Sequence, residues 1–261
     1  MKRLATTLGL LALAATAATP AFAVNLFSDG FAYLNGNLVP NGGWANYSGA
    51  NVDVQVVAGR ATGGAIGNPQ NDDHRLFAAQ PTNGKTYACL IVNIGSFSGA
   101  PKAIYFAELK DAGAANLVSR LYVVNFPGGG WTFGISNTST SATVGLTRWT
   151  APLNSGQDYT VVISYDGGRA GGPGSTLWVN PANELSPSVT DVNATATPLA
   201  VSGFGLRQSN AASTLPAEFA GTADWNFTVD NLGVGTTFDD ACARPTPTSK
   251  TTWGAVKSIY R

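Results

Sequence analysis

The chain has 261 residues, only 11% of them charged, and its formal net charge at pH 7 is zero. It contains no run of basic residues, which argues against nucleic acid or an anionic membrane surface as a partner. Its length exceeds that of a single immunoglobulin-type sandwich of about 100 residues and suits one larger β-domain.

The N-terminus has the pattern of a secretory signal peptide. Lys2 and Arg3 precede an apolar run over residues 4–18, and Ala21-Phe-Ala23 forms a small-x-small cleavage site. The apolar run is too short for a transmembrane anchor. We therefore predict that residues 1–23 are removed on export. The mature protein, with a net charge of about −2, is then secreted or attached to a cell surface.

Short apolar runs separated by Gly and Pro fill residues 24–240. Trp131, Phe133 and Ile135 alternate with small or polar residues, as in a strand with one buried face. Tyr87–Ile94 is almost continuously apolar, which indicates a central strand buried on both faces. No long amphipathic helix is visible. The pattern predicts an all-β fold, a two-sheet antiparallel β-sandwich of the jelly-roll type, as a single domain.

The chain has two cysteines, Cys89 and Cys242. Export would bring them into an oxidising compartment, where they can pair. A bridge would close a loop of about 150 residues and contribute on the order of 4–5 kcal/mol in the chain-entropy model. The alternative is that Cys89 is a buried small apolar residue and Cys242 is free. The sequence leaves both open.

Short motifs near the two ends of this region carry a family resemblance. They are Phe27–Phe31 with Trp44 at the start, and Ser175–Pro181, Phe204–Ser209 and Phe227–Val234 at the end. In this order they resemble the opening and closing strands of secreted jelly rolls of the concanavalin A-like lectin/glucanase superfamily, over roughly residues 25–238. The resemblance implies a jelly roll with one concave sheet. It leaves the function open, because this fold hosts lectins, enzymes and plain surface domains.

The last motif contains a phase slip. Phe227 and Val229 share one face of a strand, whereas Leu232 and Val234 fall on the other. An extra residue near Asp230 would explain the slip, so we predict a β-bulge or bend there.

The resemblance also implies a structural calcium ion held between the first and last strands. Asp29 and Asp230 are the positions that match, and other oxygens could complete the six to eight ligands that calcium takes. The alternative is that Asp29 caps a turn before Gly30 and that Asp230 bonds nearby backbone amides.

Candidate catalytic groups are few. The tight Glu-x-Asp-x-x-Glu strand of the superfamily's hydrolases is absent, so the resemblance does not carry that activity over. Glu108 lies on the predicted central strand Ala103–Leu109 and could face the concave side or equally pair with Arg120 on a neighbouring strand. His74, the single histidine, follows a Gly-Asn-Pro segment, so we expect it in a solvated polar loop with Asp72 and Asp73. We therefore assign no catalytic residue.

Carbohydrate binding has better candidates. Trp131 follows a glycine run, and Trp149 follows Arg148 near Pro152, so each could expose a ring face for stacking on a sugar. Arg207 and Gln208 form a polar insert that could line a binding face or pair with acidic side chains. The sequence predicts a non-catalytic, lectin-like protein that binds a glycan or an extracellular-matrix component. The alternatives are a polysaccharide-active enzyme, lyase before hydrolase, and a purely structural surface protein.

The composition changes at residues 241–261. A Pro/Thr-rich linker precedes a segment in which Trp253, Val256 and Tyr260 would share one face of a short helix. We predict a linker and a C-terminal tail that is a candidate sorting or anchoring signal. The alternative is a frayed terminus.

Overall fold

The computed structural model describes residues 24–65, 70–137, 146–209, 215–216 and 218–243. The predicted signal peptide and the predicted tail beyond residue 243 lie outside this range. The regular structure of the described residues is almost entirely strand. The strands are β1 (Asn25–Asp29), β2 (Gly36–Asn37), β3 (Trp44–Ser48), β4 (Gln55–Val57), β5 (Arg60–Ala65), β6 (Asp72–Leu76), β7 (Lys85–Ile94), β8 (Ile104–Lys110), β9 (Leu117–Asn125), β10 (Trp131–Ser136), β11 (Leu146–Arg148), β12 (Asp158–Asp166), β13 (Gly174–Val179), β14 (Val189–Val192), β15 (Gly203–Leu206) and β16 (Trp225–Gly235), and the single α-helix of these residues is α1 (Phe238–Cys242).

Two antiparallel sheets form the domain. The nine-stranded sheet has the order β14-β13-β12-β7-β16-β5-β4-β2, with β1 paired to β16. The seven-stranded sheet has the order β11-β10-β9-β8-β15-β6-β3. The predicted two-sheet, all-β sandwich is confirmed.

The core lies between the sheets, and the alternation read from the sequence decides which side chains enter it. Trp131, Phe133 and Ile135 all belong to the main buried cluster. The central strands β7 and β8 are buried on both faces over most of their length, as their continuous apolar character predicts.

Strand β16 carries the predicted bulge. Its pairing with β7 shifts between Asp230 and Gly233, and Asn231 has a φ of 48°. The expectation that Leu232 faces away from Phe227 is wrong, because both lie in the main core cluster. The bulge inserts an extra residue, which brings the later apolar side chains back to the core side.

The C-terminal end of the described chain is fastened to the nine-stranded sheet. Thr237 caps α1 by accepting a hydrogen bond from the Asp240 amide. Phe238 packs edge-on against the rings of Tyr87 and Trp178. Cys242 forms a disulfide with Cys89 of β7, and their Cα atoms are 5.2 Å apart. The domain therefore extends past residue 240, where the sequence placed its end.

Across the described ranges, helical segments that could cross a membrane by length and apolar character are absent.

Candidate functional site

The seven-stranded sheet has an inner face on the core and an outer face directed away from the nine-stranded sheet. On β8, Ile104 and Leu109 join the core, whereas Tyr105, Glu108 and Lys110 lie on the outer face. Neighbouring strands add polar and aromatic side chains to the same face. We call this set the outer-face cluster: Tyr47 of β3, Asp72 and His74 of β6, Tyr105, Glu108 and Lys110 of β8, Arg120 and Tyr122 of β9, and Arg207 after β15.

Two β-bulges bring Glu108 to the outer face. The pairing of β8 with β9 shifts between Tyr105 and Ala107, and Phe106 and Ala107 both join the core. The pairing shifts again opposite Glu108, where Ser119 of β9 adopts a φ of 48°. Each extra residue resets the alternation of its strand. Without the bulge on β8, Glu108 would lie on the same face as Phe106.

The Glu108 carboxyl is fully buried but only half satisfied. Tyr47 donates its hydroxyl hydrogen to Oε1, whereas Oε2 has no hydrogen-bond partner among the described residues. The carboxyl lies against the bare backbone of Gly205, where a Cβ atom would collide with Oε1. Burial, more than any neighbouring charge, raises the pKa of Glu108 to about 7. The group can therefore carry a proton near neutral pH.

His74 lies beside Glu108 on the outer face and is held by two neighbours. The Tyr47 ring stacks on the imidazole with centroids 5.1 Å apart, and Lys110 Nζ is 3.0 Å from His74 Nδ1. Burial and the Lys110 charge lower the pKa of His74 to about 4, so the ring is neutral near pH 7. The expectation of a solvated loop for His74, Asp72 and Asp73 is wrong. These residues form strand β6 and are buried, because β3 and β15 pair with it on either side.

Arg207, a predicted sugar-binding residue, lies on the outer face and is half-buried. Its guanidinium carbon is 4.3 Å from the Tyr105 ring centroid, and its Nε is 3.8 Å from Asp72 Oδ2. Arg120 approaches the same ring, with 5.1 Å between the guanidinium carbon and the centroid. Tyr105 also contacts the ring of Tyr122, whose buried hydroxyl has no partner among the described residues.

Gln208 and Trp131 are not placed for sugar binding, whereas sugar contact by the half-buried Trp149 stays a prediction. Gln208 is 6% exposed, and its side-chain amide donates to the Val52 and Asn71 carbonyls. Trp131 is 3% exposed, because its alternation with Phe133 directs it into the core rather than to a loop edge. Trp149 is half-buried and packs against the core cluster. The predicted exposed ring of Trp131 is therefore wrong.

The Asp29 carboxylate is occupied by hydrogen-bond donors. Oδ1 accepts the Phe31 amide at 2.8 Å, and Oδ2 accepts Tyr33 Oη and Trp44 Nε1 at 2.8 Å each. Arg75 lies 3.4 Å from Oδ2. These N–H and O–H donors favour the turn-cap alternative for Asp29, and calcium binding by Asp29 stays a prediction.

Asp230 is held differently. Its Oδ1 accepts the amide of Asn231 at 2.7 Å, and Oδ2 is 3.8 Å from Arg60 Nε. Clusters of three or more metal-ligating His, Cys, Asp or Glu side chains are absent from the described ranges. Calcium binding by Asp230 stays a prediction.

Sequence reasoning missed four members of the outer-face cluster, namely Tyr47, Tyr105, Lys110 and Tyr122, and named Arg120 only as a possible partner of Glu108. Their positions depend on which strands lie side by side and on the bulges in β8 and β9. The available signal was the alternation of polar and apolar residues over 104–110, which an unbulged strand does not explain.

Comparisons with known proteins bear on the fold. No family model matches the chain, and neither does any curated protein. The CBM2 module of the evolved Dit of Lactobacillus casei BL23 phage J-1 is similar with a TM-score of 0.52 and 12% identity, over 83% of this chain and 96% of that one. A mutant of the alginate lyase Aly36B in complex with alginate trisaccharide gives a TM-score of 0.50 and 12% identity, over 81% and 96%. The chain therefore shares the β-sandwich fold of these two solved structures.

Proposed function

We propose that the protein is a lectin-like domain that binds a glycan on the outer face of the seven-stranded sheet, without catalysis. The observation that carries the proposal is a pair of buried oxygen atoms on this face that lack hydrogen bonds within the described part of the chain. Glu108 Oε2 and the Tyr122 hydroxyl are buried without a hydrogen-bond partner among the described residues. Such a group costs about 1–3 kcal/mol. Sugar hydroxyls that reach these atoms would recover that cost.

Two half-buried side chains give a ligand its first contacts. Tyr105 offers an aromatic ring and Arg207 offers a planar set of N–H donors, and the two are already in contact. Rings of this kind stack on the apolar faces of sugars, and guanidinium groups donate to hydroxyl or carboxylate oxygens. In the Aly36B complex, a protein of similar fold is bound to alginate trisaccharide, which agrees with a sugar ligand.

We favour binding over catalysis because each candidate general base is either held in hydrogen bonds to its neighbours or has a lowered pKa. Tyr47 donates to Glu108, and burial raises its pKa far above the usual value. His74 faces Lys110 at Nδ1, and Lys110 also donates to the backbone oxygens of Asp111 and Gly113. None of these groups is poised to remove a proton from a substrate.

Two observations support an extracellular location. The residues before Val24 have the pattern of a secretory signal. Cys89 and Cys242 form a disulfide, and disulfides persist in oxidising compartments. A glycan or matrix component at a cell surface is the partner that we propose.

A glycan array followed by calorimetry tests the function. For any glycan that binds, Arg207→Ala should weaken binding by about tenfold or more, since a hydrogen bond to a charged group contributes about 1.5–3 kcal/mol. Tyr105→Ala should also weaken binding, because it removes the ring that stacks on the sugar. Arg60→Ala is the matched control, because Arg60 is a partly exposed arginine of the nine-stranded sheet that pairs with Asp158. Equal binding by all four proteins, or no binding across the array, would reject the proposal.

A polysaccharide-active enzyme is the second candidate. It is favoured by the protonatable Glu108, which shares the outer face with the carboxylate of Asp72. Hydrolysis requires a proton donor and a second carboxyl group across the bond. Release of reducing ends, or of unsaturated products absorbing in the ultraviolet, would establish activity. Loss of that release in Glu108→Gln or His74→Ala would identify the responsible group.

A further inference from the structure

A short segment lies across part of the outer face. Residues 215–220, which we call the strap, are described except for residue 217. Leu215 and Phe219 pack with Tyr122 and Val124 of β9. The Phe219 carbonyl accepts the amide of Asn125, which ends β9. The strap therefore covers outer-face side chains of β9.

The strap is also fixed to β11, beyond β9 and β10. The guanidinium carbon of Arg148 is 3.8 Å from the Phe219 ring centroid, and Arg148 donates to the Glu218 carbonyl. Leu146 of β11 packs in the same apolar cluster. The strap spans the three strands β9, β10 and β11 and reaches β8 at Tyr105, which packs in the same cluster. Among the described residues, its contacts do not extend to β3, β6 or β15.

The outer face is thus divided into two parts that meet at Tyr105 and Tyr122. The part outside the strap carries Tyr47, His74 and Glu108. Its four strands, β3, β6, β15 and β8, span about 14 Å at the usual strand spacing. Tyr122 lies at the border between the two parts. Its ring packs with Leu215 and Phe219 of the strap, and its buried hydroxyl has no hydrogen-bond partner among the described residues. A long ligand crossing all seven strands would collide with the strap.

We propose that the site binds the end of a glycan chain rather than an internal stretch. This inference rests on the proposed function and specifies its ligand. The terminal sugar lies on Tyr105 and Arg207 against the strap, and the rest of the chain leaves toward β3. A chain end suits this arrangement because its last ring has no further sugar to pass under Phe219.

The stoichiometry of binding tests this proposal. The probes are β-1,3-glucan, mannan, xylan and alginate, each as the long polymer and as chains cut to graded lengths. For whichever probe binds, the protein bound per gram should rise in proportion to the number of chain ends, and affinity should stop increasing at a short oligosaccharide. Protein bound per gram that stays independent of chain length would overturn chain-end binding and leave glycan binding intact. A failure of every probe to bind would remove both proposals.

A strap variant supplies a second readout. Leu215→Ala combined with Phe219→Ala should open the covered part and let long chains bind internally. The protein bound per gram of long polymer should then rise several-fold. Leu185→Ala is the matched control, since Leu185 is 95% exposed and outside the site. Circular dichroism and an unchanged affinity for short chains would show that the double variant is folded. If the double variant and the wild type bind long polymer in the same amount per gram, the strap does not restrict binding to chain ends.

Discussion

Tyr47 and Glu108 share a hydrogen bond although their strands, β3 and β8, are separated in the sheet by β6 and β15. The tyrosine side chain lies flat over His74 of β6 and reaches the carboxyl beside Gly205 of β15. This contact links four strands on the outer face. It requires a glycine in β15, because any side chain there would displace the Glu108 carboxyl.

Gly205→Ala should therefore destabilise the protein and disturb the site. The added methyl group would collide with Glu108 Oε1 and approach the Tyr47 ring, and overpacking of this kind costs about 1–3 kcal/mol. Denaturant unfolding would measure the loss. Gly30→Ala is the control, since a Cβ atom there has no heavy atom within 4 Å and should change stability much less. Equal stability of the two variants would contradict the packing shown at Gly205.

Glu108→Gln should change how stability depends on pH. Burial raises the pKa of this carboxyl to about 7 in the folded protein, from an ordinary value of 4.5. The folded state therefore binds the proton more tightly, and stability falls as pH rises between these two values, by about 3 kcal/mol in total. Glutamine has a similar shape and does not ionise. The variant should match the wild type near pH 4.5 and be more stable than it above pH 7.

The comparison of Glu108→Gln with the wild type isolates the titration of Glu108, because the other carboxyl groups with raised pKa values are present in both proteins. Burial raises the pKa of Asp73 to about 7 and that of Asp191 to about 6, so both proteins should still lose stability as pH rises. Denaturant midpoints measured at closely spaced pH values would give the two curves. Parallel curves would show that Glu108 does not titrate in this window.

The fold was largely predictable, because local alternation determines which side chains are buried. Trp131, Phe133 and Ile135 show a period of two and enter the core together. The bulge near Asp230 was predictable for the same reason, since the pattern changes phase within one strand. The same rule should have overridden the expectation that Trp131 lies exposed at a loop edge.

The site was much less predictable, because it is assembled by long-range pairing. Glu108 and His74 both lie beside Gly205, on strands that are far apart in the sequence. Strand order and the two bulges around Glu108 bring these residues together, and neither follows from the local sequence. Arg207 was predicted as a sugar-binding residue, but its contact with Tyr105 was not.

Removing the disulfide should lower stability by a large amount. Cys89 and Cys242 are 153 residues apart, and the chain-entropy model gives on the order of 5 kcal/mol for a loop of that length. Cys89→Ala combined with Cys242→Ala should lower the denaturant midpoint to the same extent as a reducing agent lowers that of the wild type. The double variant should not respond to the reductant. An unchanged midpoint in both experiments would mean that helix α1 is held by packing alone.

Asp29→Ala should be strongly destabilising without any involvement of calcium. It leaves the Trp44 indole and the Tyr33 hydroxyl without their acceptor and leaves the Arg75 charge without its partner. Each buried donor left without its acceptor costs about 1–3 kcal/mol, and the pair with the partly exposed Arg75 adds about 1 kcal/mol or less. Asp230→Ala is the comparison and should cost less, about 1 kcal/mol, because Asp230 is only half-buried and lies 3.8 Å from Arg60. Thermal unfolding in the presence of calcium or a chelator should give the same midpoint for the wild type, because donors already occupy the Asp29 oxygens. A calcium-dependent rise in the midpoint that both substitutions abolish would instead establish a shared calcium site.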